Sequence, residues 1–528
     1  MTYLLHQLLA EAAAGHPERE ALACKGRSMT YGELEAASNG VANALLAAGV
    51  RPGDRVGIFV PKNLEMMAAV NGALKAGACF VPLDPMAPPP RVAAMVEDST
   101  VSALVATPAR AAELFESLER HRPGVALLVD DGSGPADLPV PTIGYAEATS
   151  DPRASDPGVH GTELDLSCIA YTSGSTGVPK GVMHNHRSLL TAAEWFATRM
   201  RLTPEDRLVV HSPLHFLISG YSLWAAARVG AAAVLMAEGE VGWGSEIARV
   251  IRDERITIWF SVNSALTLLL QTEPAPGSFP SLRIVAFGGA AFAEEDMRKL
   301  KKVVPDVEFV YFLGTTETWG NTTYHFRELP EEWPLPVGKA LENVQVFLLK
   351  DDGGVAGPGE EGEMYVRTPS LMRGYWGQPE MTAEKVVPNP IDPHLPDPVY
   401  RTGDVARLRP DGNHVFVGRR DLQIKTRGYR VEPEEVERAI SSHPAVKEVT
   451  VVAVAHPEWG MAIVAMVAPR EKGALSVAEV KAQVADRLPL YMVPATVHMV
   501  EELPRTSSGK VDRPRIQSDM ERAAASGQ

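Results

Sequence analysis

From about residue 30 to beyond residue 300, short apolar runs alternate with stretches of helical length, and this alternation constrains the fold more than any single motif. Thr30 and Glu33 are spaced as a capping box, opening a helix whose face carries Leu34, Val41 and Leu45 and which Gly49 is placed to end. The pattern then predicts a strand over 55–60, a helix over 64–76 and a strand over 80–83. Strands separated by helices of this length imply βαβ units and parallel sheet. The order resumes at Asp165, whereas residues 131–160, rich in Gly, Pro, Asp and Ser, read as an irregular connection. Past Asp421 the texture changes. A helix begins near Pro433, valine-rich strands follow at 446–454 and 462–468, and Ser476 and Glu479 open another helix with a second capping box. A chain of 528 residues exceeds one compact core. The expected fold class is α/β: a large domain of βαβ-type sheets flanked by helices over 1–420, and a small mobile α+β domain over 421–528, hinged near Asp421.

A net charge of −15 lacks the basic face that a general nucleic-acid binder requires. Cys24, Cys79 and Cys168 show no metal-ligand spacing and fit buried thiols in a reducing compartment. Residues 1–13 lack the basic segment of a leader peptide, and the most apolar window, 221–237, is interrupted by Arg228. The expectation is a cytoplasmic protein with no integral membrane association.

The apolar run Leu166 to Tyr171 delivers a loop holding Thr172, Ser173, Gly174, Ser175, Thr176, Gly177, Lys180 and Gly181. Glycines let backbone N–H groups converge on phosphate oxygens, hydroxyls add donors and the lysine adds charge. The loop lacks the Walker spacing, and the same composition suits a flexible surface linker. Three further segments carry chemistry beside a plainer reading. Glu317, in a hydroxyl-rich turn after a strand, is a solvated surface residue or, beside a polyphosphate, a natural Mg²⁺ ligand. Asp404 suits a pair of ribose hydroxyls, or is explained by turn chemistry alone. The loop ending in Lys510 reads, in isolation, as a solvated loop.

Taken together, Tyr171–Gly181, Leu313–Thr318, Tyr400–Asp404, Gly418–Gly428 and Pro504–Lys510 resemble, in order and spacing, the adenylate-forming superfamily. That superfamily comprises acyl-CoA synthetases, the adenylation domains of nonribosomal peptide synthetases, and luciferases. The resemblance runs from Leu9 to about Arg515. It implies an ATP- and Mg²⁺-dependent ligase that converts a carboxylic acid to an acyl-adenylate, releases pyrophosphate and passes the acyl group to a thiol. It further implies that Thr172 to Lys180 hold the β- and γ-phosphates, that Gly288, Gly289 and Ala290 contact adenine with Phe312 and Leu313 nearby, and that Thr316 meets the α-phosphate. Glu317 would hold Mg²⁺, Asp404 the ribose, Arg419 the ribose and phosphates, and Lys510 would span the carboxylate and α-phosphate during adenylation. Gly428 would line the thiol's path. The acid would sit among His215, Phe216, Leu217, Tyr221, Gly320 and Asn321, with His215 either a gate beside the carboxylate or a packed structural histidine. A phosphoryl-transfer enzyme built on the same loop would release ADP instead of AMP and pyrophosphate.

The chain departs from the family pattern at two places. Leu313 stands where the family usually has a tyrosine stacked on adenine, as in some aryl-acid ligases. Leu217 stands where amino-acid-activating domains have the aspartate that pairs with the substrate's α-ammonium. A buried ammonium needs a carboxylate partner, so the expected acid lacks an α-amino group and is aliphatic, aryl or otherwise modified, unless a carboxylate reaches the pocket from elsewhere. Residues 423–433, 490–494 and 508–513 look most like peptide-synthetase adenylation domains, yet no Gly-Gly-[Asp/His]-Ser attachment site follows. The expected acceptor is the phosphopantetheine arm of a separate carrier protein, with coenzyme A as the alternative.

Overall fold

The computed structural model describes the chain apart from Met1, Pro135, residues 175–178, Ala291, Pro393, Leu395, Pro457, Lys472, residues 507–510 and residues 526–528. Among the described residues, two large mixed sheets dominate the first 340 positions. In one, strands Cys79–Pro82, Arg55–Phe59, Ala103–Ala106, Val125–Leu128 and Thr142–Gly144 run parallel, as the βαβ pattern predicts. In the other the parallel centre is Ala232–Leu235, Arg207–Val210, Ile258–Val262, Ile284–Gly288 and Glu308–Thr315.

Each of the two sheets also has an antiparallel margin. Leu166–Thr172 pairs antiparallel with Lys180–Asn185, and Glu308–Thr315 with Trp319–Phe326, because the short segments joining them cannot make the crossover that parallel strands need. The segment read as an irregular connection contains the edge strand Thr142–Gly144 and the short helix Tyr145–Ala148.

Helices Tyr31–Ala47, Leu64–Lys75, His186–Arg199 and Ile218–Val229 contribute to one continuous core shared by both sheets, with Val41, Ala69, Phe196 and Ala225 almost fully buried. Both capping boxes form. Thr30 Oγ1 accepts from the Glu33 amide (3.2 Å) and Ser476 Oγ from the Glu479 amide (3.2 Å). The apolar window at 221–237 divides between the helix Ile218–Val229 and the strand Ala232–Leu235, with Gly230 turning between them at φ +75°. Among the described residues no helix is long and apolar enough to cross a membrane.

A five-stranded sheet follows, in which Val399–Leu408 pairs antiparallel with Glu361–Arg367 and with His414–Arg419. The chain then passes through residues 420–423 into a separate sheet of Ile424–Thr426, Tyr429–Val431, Val446–His456, Gly460–Pro469 and Thr496–Met499. One face of that sheet packs Val451, Ile463 and Ala465 with Val436 and Ile440 of the helix Pro433–Ser441 and Val480 and Val484 of Val477–Ala485. Its other face packs Val452, Val454 and Val464 with Leu503 and Ile516.

Candidate active site

A cavity of about 660 Å³ opens between the strand ends of the large domain and the hairpin Ile424–Val431 of the small one. Thr172, Ser173, Thr316, Gly288, Gly289, Arg419 and Gly428 all line it, so residues spread over more than 250 positions of sequence converge on one space.

The polar end is built on strand termini. Thr172 closes one strand and pairs directly with Lys180, which opens the next. Glu317, fully buried between Glu308–Thr315 and Trp319–Phe326, is neither solvated nor on the surface. Its Oε1 accepts from Tyr375 OH (2.9 Å) and from Arg430 Nη1 (2.9 Å), with Lys180 Nζ 3.8 Å away. Burial would raise the Glu317 carboxyl, but Arg430, Lys180 and Tyr375 outweigh it and hold the carboxyl well below the usual range. Burial, reinforced by repulsion from Arg430, lowers the Lys180 ammonium to about 8 against the pull of Glu317. His184 Nε2 meets the Thr316 carbonyl at 2.8 Å and supports the turn from below. Ser175, Thr176, Gly177 and Lys510 lie outside the described residues.

Asp404 sits within the strand Val399–Leu408, not in an isolated turn. Gly403 takes φ +79° beside a shift in register, and a side chain there would meet the Asp421 carboxylate at 2.9 Å. Arg419 donates to Asp404, to the Thr402 carbonyl (3.1 Å) and bidentately to Asp421 (2.6 and 2.7 Å). One guanidinium thereby joins Asp404 to the connection between domains.

Thr172 Oγ1, Glu317 Oε2 and Asp404 Oδ2 are buried with no hydrogen-bond partner among the described residues. A hydroxyl and two carboxylate oxygens left in this state are costly without a ligand. Together with Lys180 and Arg419, this donor and acceptor set fits a nucleotide whose phosphates and ribose occupy the polar end.

The opposite end is aromatic. Tyr221 stands edge-on to Trp319 (5.1 Å between ring centres), Phe312 (5.3 Å) and Phe260 (5.4 Å). Phe216 and Leu217 complete the wall, and His215 packs on Phe216 (4.6 Å) with Nε2 3.8 Å from Asp84. Burial pulls the His215 ring below its ordinary value against the attraction of Asp84. Tyr221 OH and Trp319 Nε1 are also buried without partners among the described residues. Leu313, Gly320 and Asn321 lie behind this wall: Leu313 packs in a core cluster with Phe287 and Phe309, and both side-chain polar atoms of Asn321 are unpartnered among the described residues. The Ala290 carbonyl accepts from Tyr311 OH at 2.9 Å.

The small domain closes the cavity with its hairpin. Gly428 turns at φ +82° and presses so closely on the large domain that a Cβ would come within 2.6 Å of Val262. Tyr429 stacks on Tyr491 (3.9 Å) and meets Phe216 edge-on (4.8 Å). Arg91 of the large domain forms a buried ion pair with Glu435 of the small one.

Arg430, Tyr375, Trp319 and Lys62 were not singled out by sequence reasoning. Arg430 belongs to a segment that carried the family likeness, but no local pattern names its partner. Lys62, three residues beyond the strand Arg55–Phe59, is 2% exposed and donates to the carbonyls of Val210 (3.0 Å), His211 (2.6 Å) and Ser212 (3.2 Å). It fixes the segment leading into Pro213–Ser219. Burial lowers its ammonium to about 8 against the attraction of Glu238. Between that value and the ordinary lysine range the unfolded chain binds the extra proton, so stability rises with pH through this window. Relative to Lys62→Met, the wild type is expected to gain roughly 3 kcal/mol between pH 8 and 10.5, read as paired urea-unfolding curves. A pH-independent difference would refute the lowering of the Lys62 ammonium by burial.

A polar end complementary to a nucleotide, an aromatic end with Asp84 and Glu238 near His215, and a second domain closing over both define an adenylate-forming ligase. The chain belongs to the AMP-binding enzyme family, whose model matches residues 9–376, with the AMP-binding enzyme C-terminal domain matching 435–510. It is 33% identical over 517 residues to an L-proline–[L-prolyl-carrier protein] ligase of Pseudomonas fluorescens, covering 97% of this chain and 98% of that protein. It is 31% identical over 522 residues to tyrocidine synthase 3 of Brevibacillus parabrevis, a match that covers 99% of this chain and 8% of that protein. Among solved structures, an o-succinylbenzoate CoA synthetase from Bacillus subtilis, bound with a product analogue, superposes with a TM-score of 0.82 at 25% identity over 97% of this chain and 98% of that one. An amide bond synthetase from Marinactinospora thermotolerans gives 0.82 at 26% identity over 98% and 99%.

Proposed function

We propose that this AMP-forming ligase activates a carboxylic acid without an α-amino group and passes it to the phosphopantetheine thiol of a carrier protein in the cytoplasm. The observation that carries the reading is the polarity of one site: Thr172 Oγ1, Glu317 Oε2 and Asp404 Oδ2, buried without partners among the described residues, mark one end, while Leu217 and an aromatic wall mark the other, where Asp84 and Glu238 are the carboxylates that also line the cavity. ATP lies with its phosphates toward Lys180 and its ribose at Asp404 and Arg419. A carboxylate oxygen of the acid attacks the α-phosphorus, the bond to the β-phosphate oxygen breaks and pyrophosphate departs. No general base is needed, because the nucleophile is already an anion. The need is for positive charge where two anions meet, which Lys510 supplies from the small domain. Glu317 would hold Mg²⁺, which neutralises phosphate charge. In the second step the thiol sulfur, losing its proton, attacks the acyl carbon and AMP leaves. The hinge is near Asp421, and the thiol enters past Gly428.

Pyrophosphate release across a panel of acids tests the substrate class. Aryl and aliphatic acids are expected to exceed α-amino acids of similar size by about tenfold or more, the cost of an unpaired buried ammonium. An α-amino acid at the top of the panel would overturn the substrate class while leaving adenylation intact. Repeating the assay with a carrier protein and with free coenzyme A separates the acceptors. Coenzyme A is kept as a second reading because of the likeness to the CoA synthetase structure.

A further inference from the structure

The aromatic end of the cavity holds two donors that the described residues do not satisfy. Tyr221 and Trp319 both line the cavity and are each 3% exposed, yet Tyr221 OH and Trp319 Nε1 have no hydrogen-bond partner among the described residues. Their rings stand edge to face, with centres 5.1 Å apart. An indole N–H can only donate. Burial pushes the Tyr221 hydroxyl well above its ordinary value, so it keeps its proton and donates as well. The carboxylates of this end differ, because each already accepts. Glu238 takes the Lys62 amide through both oxygens (2.9 and 3.0 Å), and Asp84 takes the Met86 amide (2.9 Å). Trp319 is also held in an unfavourable backbone. It opens the strand Trp319–Phe326 at φ +60°, a left-handed conformation that bulky residues seldom adopt. Gly220 of the helix Ile218–Val229 makes room for its ring: a Cβ there would come within 3.0 Å of Trp319 Cη2 and collide with Trp224. Apolar packing alone would be served by phenylalanine at both positions, with no buried donor to satisfy.

Resting on the function proposed above, we propose that the acid carries a hydrogen-bond acceptor at the end away from its carboxylate, an ether, carbonyl or hydroxyl oxygen or a ring heteroatom, to which Tyr221 and Trp319 donate. The carboxylate of the acid points toward the phosphates, so its far end meets the aromatic wall. An acid ending in plain hydrocarbon would fill the same space and seal both donors away from water without a partner. That loss outweighs the transfer of one methyl or methylene group out of water. The pocket therefore selects by polarity at the far end as well as by the missing α-ammonium partner at Leu217.

The test uses the full chain and pairs of acids matched in shape, one member ending in an acceptor and the other in hydrocarbon. Methoxy is set against ethyl and hydroxyl against methyl, at each ring position of an aryl acid and at the end of an aliphatic one. Binding is read by titration calorimetry, which needs no turnover. At the position that reaches Tyr221 and Trp319, the acceptor-bearing member is expected to bind about tenfold more tightly. Burial of apolar surface alone would favour the hydrocarbon member, so the sign of the preference is diagnostic. Tyr221→Phe removes a single oxygen and should cut the preference to about threefold or less, and Trp319→Phe should also reduce it. The wild-type comparison decides the matter even where a variant does not fold. Hydrocarbon members binding as tightly at every position, no acid of the panel binding, or a preference undiminished in both variants would overturn the proposal. Pyrophosphate release from the same acids reads the other claim. Acceptor-selective binding with no release from any acid would count against the proposed function and leave the acceptor rule standing, whereas release without selective binding would count against the roles of Tyr221 and Trp319.

Discussion

Lys510→Ala is expected to slow acid-dependent pyrophosphate release by about 10²-fold or more while leaving transfer from supplied acyl-adenylate within about threefold of wild type. Among the described residues, 427–430 line the cavity and none between 500 and 516 does. Leu503 and Ile516, on either side of the lysine loop, are anchored on the sheet face opposite the helix Pro433–Ser441, whose Glu435 meets Arg91 of the large domain. In this orientation the small domain presents the Gly428 hairpin to the cavity. On the roles proposed above, adenylation by Lys510 would use a different orientation, turned about the hinge proposed near Asp421. A charge used in only one orientation contributes to only one half-reaction. Rapid-quench measurement of the two steps on separate substrates checks this, and equal loss in both would remove Lys510 from its proposed role.

How far the sequence reaches is clearest in particular residues. Thr30 with Glu33 and Ser476 with Glu479 were legible because a cap is a local exchange of hydrogen bonds across one turn. The central strands were legible because burial on both faces demands continuous apolar runs. Glu317 was recognisable as chemistry through its family likeness, but its complete burial was not, since that depends on Tyr375, Lys180 and Arg430, none adjacent in sequence. The glycine turn at Gly403 proved to be a kink inside a strand, a distinction set by its neighbour Glu361–Arg367. Lys62 left no local signal, because what holds it is three backbone carbonyls some 150 positions away.

Glu317→Gln is expected to lower pyrophosphate release by about 10²-fold or more and to destabilise the docked enzyme by about 3–5 kcal/mol. Glutamine preserves the shape and can still accept from Tyr375, so the loss isolates charge. It leaves Lys180 and Arg430 buried beside a neutral group. Arg430 can escape with the small domain and Lys180 cannot. Undocking is thus expected to accompany the loss of stability, and adding Arg430→Gln should recover part of it, giving a non-additive cycle of about 1–3 kcal/mol. The pH dependence has a fixed sign. A carboxyl held below its ordinary value stabilises the fold above the unfolded value, about 4.3, and that stabilisation is lost as pH falls toward the folded one. The gap between wild type and Glu317→Gln should therefore be full at pH 7 and narrow below about pH 4, as measured by urea unfolding. A gap unchanged by acid would mean that the carboxylate charge is not what the three partners hold.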